Sequence, residues 1–375
     1  MRVEGPWQVR AQPLLALLGD AGHQALMVGG CVRNALLGAP VGDVDIATDA
    51  RPEQVLALAE AAGIRAVPTG LVHGTVTLVQ DGQGHEVTTF RRDAETDGRH
   101  ARVEFSQSLA EDAARRDFTM NALYARADGQ VLDPLGGLPD LRARRVRFVG
   151  DPAARIAEDY LRILRFFRFQ AQYGDPEMPM DAAALEACAA GAGGLARLSA
   201  ERIGAEMRKL LAAPDPAPAV AAMDRTGVLA QVLPGGDSVP LGRLVALEGD
   251  LPPGALRRLL ALGGDAGRLR LTRAEGRALA TARTALAGDA PPAELGYRLG
   301  AEAARDVVLV RAARDADPPP PDWQAQVARG AAACFPLRAR DLPGLEGPAL
   351  GAALREREAR WIASDFTLDR AALLR

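Results

Sequence analysis

Asp43 and Asp45 stand two apart in the run Asp43-Val-Asp-Ile-Ala-Thr48, which alternates in polarity. Alternation of that period predicts a strand, and residues two apart on a strand share a face. Two carboxylates held side by side repel each other, and their natural partner is a divalent cation. Mg²⁺ takes one or two carboxylates, keeps several waters and completes its shell with substrate phosphates. A paired-metal site can activate an attacking hydroxyl and neutralise a leaving pyrophosphate, so two-metal phosphoryl transfer is the expected chemistry. Glu86, in Glu86-Val-Thr-Thr-Phe-Arg91 on another expected strand, is the candidate third carboxylate. An isolated Asp-x-Asp also fits a surface edge strand with solvated acids. Gly29-Gly-Cys-Val-Arg33 shortly upstream favours the site.

The pair Gly29-Gly30 follows an expected strand and precedes an expected helix. A turn of that kind presents backbone N–H groups to an anion, and Arg33 lies within reach of the same anion. Neither familiar nucleotide loop is present. There is no Gly-x-x-x-x-Gly-Lys-Ser/Thr, and the pair does not extend to Gly-x-Gly-x-x-Gly. The arrangement left is a triphosphate on the glycine turn with a metal on the aspartates.

These residues need a frame. Helices are expected at 12–21, from Val32 to Leu37 and at 52–62. Strands are expected at 24–28, 43–48, 75–80, 85–90, 130–133 and 145–148. The segment Arg91–Arg102 is polar and aperiodic, and reads as a loop. After Gly150 the pattern turns helical: 152–172, 181–190, 199–212, 216–224, 240–262, 273–287, 292–311, 321–333 and 346–360, with Pro/Gly-rich connectors between. The expected fold is an α/β head with a mixed sheet, followed by an all-α neck, body and tail. The boundaries are 1–150 for the head, 151–212 for the neck and 213–375 for the body and tail.

The composition is that of a globular protein, with 48% hydrophobic and 25% charged residues. Aromatic residues are only 4%, so the core must rest on Ala, Leu and Val. The net charge of −3 excludes a basic nucleic-acid coat. Charge is nevertheless uneven: residues 141–170 hold eight arginines against three acids. That stripe fits either a directed polyanion site or a solvated helix face. Cys31, Cys188 and Cys334 are far apart, which argues against a zinc site or a disulfide framework and for a reducing compartment. With no signal-peptide pattern and no run long enough to span a bilayer, the expectation is a cytoplasmic protein without membrane contact.

Several motifs then occur in order: Gly29-Gly-Cys-Val-Arg33 with Asp43-Val-Asp45, Arg115-Arg-Asp-Phe-Thr-Met-Asn-Ala122, Asp133-Pro-Leu-Gly-Gly137 and Glu158-Asp-Tyr-Leu-Arg-Ile-Leu-Arg165. Over about residues 25–210 the sequence resembles the bacterial CCA-adding tRNA nucleotidyltransferase and poly(A) polymerase family, the class II nucleotidyltransferases. The resemblance implies transfer of C, C and A from CTP and ATP to the 3′ end of tRNA without a nucleic-acid template. It implies that Asp43 and Asp45 bind Mg²⁺, and that Gly29, Gly30 and Arg33 lie at the nucleotide. Arg116 and Asp117 would lie near its sugar and phosphates. Asp159 and Arg162 would read the base, with Arg165 and Arg168 nearby. The sequence departs from the pattern at Asn34, where many members have Asp. No protein partner is implied. The length of the Arg91–Arg99 segment is that expected of members that add the final A.

The base-reading role has a physical rationale. Asp159, Arg162, Arg165 and Arg168 are spaced by three on what reads as one helix, so near neighbours converge. Cytosine and adenine both offer an amino donor beside a ring-nitrogen acceptor. A carboxylate and a guanidinium side by side match that edge. Uracil and guanine present a carbonyl where the amino group would be. The other reading is an intrahelical Asp159–Arg162 salt bridge, worth tenths of a kcal/mol.

Three rivals remain at this level. A poly(A) polymerase or A-adding enzyme of the same family would carry a more basic tail than the mixed 365–375 segment. A catalytically silent RNA-binding protein would have no need of Asp43, Asp45 and Glu86. An added phosphohydrolase would need a His-Asp cluster, and His23, His73, His85 and His100 all lie in the head.

Overall fold

A computed structural model describes residues 1–93 and 103–375. The segment 94–102, which carries most of the expected charged loop and its A-addition argument, lies outside the described residues. The chain forms two compact units. The first comprises 1–199 with 225–231; the second comprises 200–224 with 232–375.

The first unit is built on strands β1 (Ala25–Val28), β2 (Asp45–Thr48), β3 (Arg65–Gly70), β4 (Thr75–Gln80), β5 (Gln83–Thr89), β6 (Arg91–Asp93), β7 (Val103–Phe105), β8 (Tyr124–Ala125) and β9 (Val131–Leu132). Its helices are α1 (Pro6–Asp20), α2 (Gly30–Leu36), α3 (Pro52–Ala61), α4 (Leu109–Ala114), α5 (Leu138–Arg142), α6 (Pro152–Glu158), α7 (Leu161–Tyr173) and α8 (Ala182–Gly191). Seven strands form one mixed sheet in the order β3-β4-β5-β2-β1-β8-β9. Within it β2 runs parallel to β5 and antiparallel to β1.

Register explains how this sheet assembles a site. Val28 is opposite Asp45, so the chain leaves β1 into Gly29 beside the first residue of β2. On the other flank Ile46 is opposite Val87, which puts Glu86 beside the same end of β2. The apolar members of β1 and β2 are buried: Leu26, Met27, Val28, Ile46 and Ala47 are each at most 5% exposed. A one-residue slip would turn Ile46 outward and Asp45 into the core, so burial holds the register.

The structure corrects several sequence expectations. β2 begins at Asp45, and Asp43 lies in the approach to the strand. The segment 145–148 is not a strand; only Phe148 makes a bridge, to Phe118. The start of the expected Arg91–Arg102 loop is a strand, β6, which pairs with β7 just beyond Arg102. β3 and β8 had no clear signal: Arg65–Gly70 contains a proline and an edge bulge, and β8 has two residues.

The largest correction concerns 152–172, which is two helices. Asp159 breaks them with an extended backbone (φ −151°, ψ 106°), and its carboxylate accepts the Leu161 N–H at 3.1 Å. A short side chain that bonds its own backbone competes with the helix ladder. Tyr160 then lies against Gly194, where a Cβ would come within 2.0 Å of the Tyr160 ring. Downstream, α7 packs through aromatic residues. Phe118 lies 4.9 Å from both Phe148 and Phe169, and Phe148 stacks on Phe166 at 5.7 Å between centroids. Phe118 and Met120 are fully buried, as the motif's mixture of charge and apolar residues predicts.

The second unit is helical. The stretch expected as one helix at 240–262 divides into Val239–Glu248 and Ala255–Leu262 around Gly249–Gly254, and 292–311 divides at Gly300. Glu248, Arg257 and Arg258 form a buried ionic cluster; Arg258 also donates to the carbonyls of Leu211, Ala213 and Pro214. Among the described residues, no helix is long and apolar enough to cross a membrane.

Candidate active site

Asp43, Asp45 and Glu86 are exposed, while Val44, His85 and Val87 between and beside them are buried. Asp45 opens β2 with Glu86 beside it on β5, and Asp43, just ahead of the strand, is near enough to act on the Asp45 carboxyl. Asp45 is open to solvent but enough protein surrounds it that burial, together with Glu86 and Asp43, pushes its carboxyl up to about 6; Arg116 acts in the opposite direction. Among the described residues, no group of three or more His, Cys, Asp or Glu side chains is drawn together closely enough to hold a metal ion. Glu86 thus bears on Asp45 electrostatically without completing a three-ligand cage. A carboxyl raised by burial and by neighbouring acids still suits a divalent cation that keeps waters and takes phosphate oxygens.

This shift makes a pH prediction. A carboxyl with a folded pKa above its unfolded value binds its proton more tightly in the folded state. The contribution of Asp45 to stability therefore rises as pH falls from about 7 to about 4 in metal-free protein. Thermal unfolding between these limits, with and without Asp45→Asn, isolates that contribution. The variant should lose the acid-side gain, and equal pH slopes would contradict the raised carboxyl.

Gly29 adopts φ +71°, a backbone region that favours glycine, and a Cβ there would meet Arg116 Nη1 at 3.5 Å. The turn and the Arg116 guanidinium are thus adjacent. Arg116 is oriented from behind: Nη2 donates to Asp112 and Nε to the Tyr124 hydroxyl, each at 2.9 Å. Asp112 is 1% exposed and also accepts from Arg115 (2.9 Å) and Tyr124 (2.7 Å). Burial alone would raise its carboxyl, but Arg116 and Arg115 hold it below the usual range.

Arg33 is buried, and its guanidinium has partners on every side. It donates to Asn121 Oδ1 at 2.5 Å, to Asn34 Oδ1 from two nitrogens and to the Tyr173 hydroxyl at 2.8 Å. It also stacks on the Tyr173 ring at 4.0 Å from the centroid. These partners fix the guanidinium in place, and a Cβ on Gly30 would meet its Nη2 at 3.7 Å, so Arg33 lies beside the glycine turn as Arg116 does.

Asp117 is buried. Its Oδ1 accepts from Asn121 Nδ2 and Phe118 N–H, and its Oδ2 from Arg165 Nε at 2.7 Å. Burial would raise this carboxyl, yet Arg165 and these hydrogen bonds keep it low. Arg162 pairs with Glu158 at 2.5 Å and donates to the Arg155 and Arg115 carbonyls. Asp159 belongs to the kink, so it does not share a helix with Arg162, Arg165 and Arg168. Arg168 is 8% exposed, bonds Gln172 at 3.0 Å and lies over the Phe169 ring.

Sequence reasoning missed Asp112, Tyr124, Asn121, Tyr173 and Arg155 as members of the site. Asn121 lies in a motif already singled out, with Asp117 four residues away and Arg33 far along the chain. Asp112 stands three and four residues before Arg115 and Arg116, a helical spacing that marks the pairing in sequence, whereas Tyr173 joins through a tertiary contact.

The Poly A polymerase head domain model matches residues 25–147. A second model, the probable RNA and SrmB-binding site of polymerase A, matches 177–239. The chain is 45% identical over 205 residues to a CCA-adding enzyme of Leuconostoc citreum, covering 54% of this chain and 49% of that protein. It is 45% identical over 199 residues to the mitochondrial CCA tRNA nucleotidyltransferase 1 of Mus musculus, covering 53% and 46%. These matches span about half the length of the curated relatives. The crystal structure of the Bacillus stearothermophilus CCA-adding enzyme in complex with CTP superposes with a TM-score of 0.72 at 30% identity, covering 96% of this chain and 94% of that one.

Proposed function

The chain belongs to the family of CCA-adding and poly(A)-polymerase nucleotidyltransferases, and on that premise we propose that it adds C, C and A, from CTP and ATP, to the 3′ end of tRNA. The observation that carries the chemistry is Asp45, exposed at the start of β2, with Glu86, Asp43 and Arg116 all acting on its carboxyl and Arg116 lying at the Gly29 turn. Similarity to CCA-adding enzymes favours this reading over poly(A) synthesis. In it the tRNA 3′-hydroxyl attacks the α-phosphate of the incoming nucleotide, and pyrophosphate leaves.

Asp43 and Asp45 hold Mg²⁺ in this scheme, with Glu86 adding negative potential beside them. The bound ion supplies charge neutralisation and activation of the attacking hydroxyl. Arg116 and the N–H groups at Gly29 and Gly30 face the phosphates. Asp117 orients Arg165 and supports the ribose side. Asp159 accepts from the amino group of cytosine or adenine, and Arg162, held by Glu158, donates to the ring nitrogen. Residues 1–150 serve as head, 151–212 as neck and 213–375 as body and tail for tRNA. The cysteine usage supports a cytoplasmic setting.

The direct test incubates the protein with tRNAs lacking A, CA or CCA, supplying CTP and ATP separately and together. Completion to CCA supports the proposal, and long A tails would replace it with a poly(A) polymerase. Arg162→Ala is expected to raise UTP incorporation relative to CTP by about tenfold to a hundredfold, the scale of one base-edge pair. Unchanged selectivity would remove Arg162 from base reading.

A further inference from the structure

We propose that Asn34 is a positioning residue whose amide clamps Arg33 to the Pro40 carbonyl, so that helix α7 and the loop delivering Asp43 share one hydrogen-bonded frame. The inference rests on reading Asp43 as a metal-holding carboxylate. Asn34 Oδ1 accepts from Arg33 Nε at 3.1 Å and Nη2 at 2.9 Å, while Nδ2 donates to the Pro40 carbonyl at 2.9 Å. These partners define the amide's orientation. Rotating it by half a turn would set N–H groups against a guanidinium and oxygen against a carbonyl. Pro40 lies three residues before Asp43, on a stretch without regular structure.

The far end of the frame is α7. Tyr173 holds Arg33 directly, through its hydroxyl at 2.8 Å and its ring face. A second strut runs from Arg165 to Asp117, from Asp117 to Asn121 and from Asn121 to Arg33, with links of 2.7, 2.9 and 2.5 Å. Both struts meet at Arg33, and Asn34 passes its position to the loop. An amide at 34 both accepts and donates. A carboxylate there would keep Arg33 but could not donate to Pro40, and would set an oxygen against the carbonyl. A family member with Asp at this position must therefore hold its loop by another donor.

Asn34→Asp separates the two arms of the clamp, and Asn34→Ala removes both. Hydrogen exchange of amides 41–45 in the metal-free proteins reads the loop without relying on activity. The Mg²⁺ concentration giving half-maximal incorporation reads its consequence. Both variants should exchange about tenfold faster there and need about tenfold more Mg²⁺, the scale of one lost hydrogen bond, with little change in the KM for CTP. Wild-type exchange and Mg²⁺ response in Asn34→Asp would overturn the proposal. So would a raised Mg²⁺ requirement without faster exchange. Asp43→Ala serves as the separate control. Retained activity in that variant would remove the metal-site reading, while the exchange data would still report on the clamp.

Discussion

Replacing Asp45 by alanine should lower nucleotide incorporation by about 10³-fold or more, with tRNA binding retained and thermal stability at pH 7 unchanged or improved. The activity loss follows from removing a carboxylate on which metal-assisted neutralisation of the leaving group depends. The stability expectation follows from the electrostatics. Asp45 is held ionised at neutral pH against burial and against two neighbouring acids. Removing it relieves that repulsion in metal-free protein, a common sign that a residue serves function at the expense of stability. Incorporation into tRNA lacking its terminal A, tRNA retention on a filter and a melting curve test the three parts. Near-normal incorporation would sink the metal proposal. A large fall in melting temperature would show that Asp45 is a framework residue instead.

Asp112→Ala should destabilise the first unit by about 3–5 kcal/mol. Asp112 is almost fully buried and receives donors from Arg115, Arg116 and Tyr124. Truncation leaves the Arg116 guanidinium without its counter-charge inside the protein and strands the Tyr124 hydroxyl. Asp112→Asn retains an acceptor but loses the charge, so a smaller loss of about 1–3 kcal/mol is expected. Urea unfolding of both variants measures this. Because Arg116 lies at the Gly29 turn, Asp112→Asn should also weaken triphosphate binding even where the protein is fully folded. A loss below about 1 kcal/mol for Asp112→Ala would mean that Arg116 is held by other contacts.

Much of this protein was determined by the order of its residues. Asp43-Val-Asp45 alternates, and the alternation reappears as two exposed acids around a buried Val44, although Asp43 lies just ahead of the strand. A glycine pair between a strand and a helix signalled the turn, and in the structure Gly29 takes the positive φ there. Ala, Leu and Val at helical spacing marked the helices after residue 150, and most were found within a few residues of expectation. These are local signals, set by the period of the backbone and by which residues tolerate a given φ.

Only the tertiary structure decided where the helix from 152 breaks and which groups Arg33 and Arg165 meet. Asp159 and Tyr160 are acceptable in a helix by propensity. The break is made by a side-chain hydrogen bond to Leu161 N–H and by the fit of Tyr160 against Gly194. Arg33, Arg116, Arg162 and Arg165 look alike in sequence, each a long chain with a planar fork. Arg33 became a buried keystone because Tyr173, 140 residues away, lies over it. Arg116 became a guanidinium at the glycine turn because Asp112 and Tyr124 hold it from behind. Asn34 could be interpreted only once Pro40 and Arg33 were seen on either side of its amide. Arg116 and Arg162 pair with acids four residues before them, a spacing the sequence shows, whereas the partners of Arg33 and Arg165 are brought from distant segments by packing, and sequence spacing carries no record of that choice.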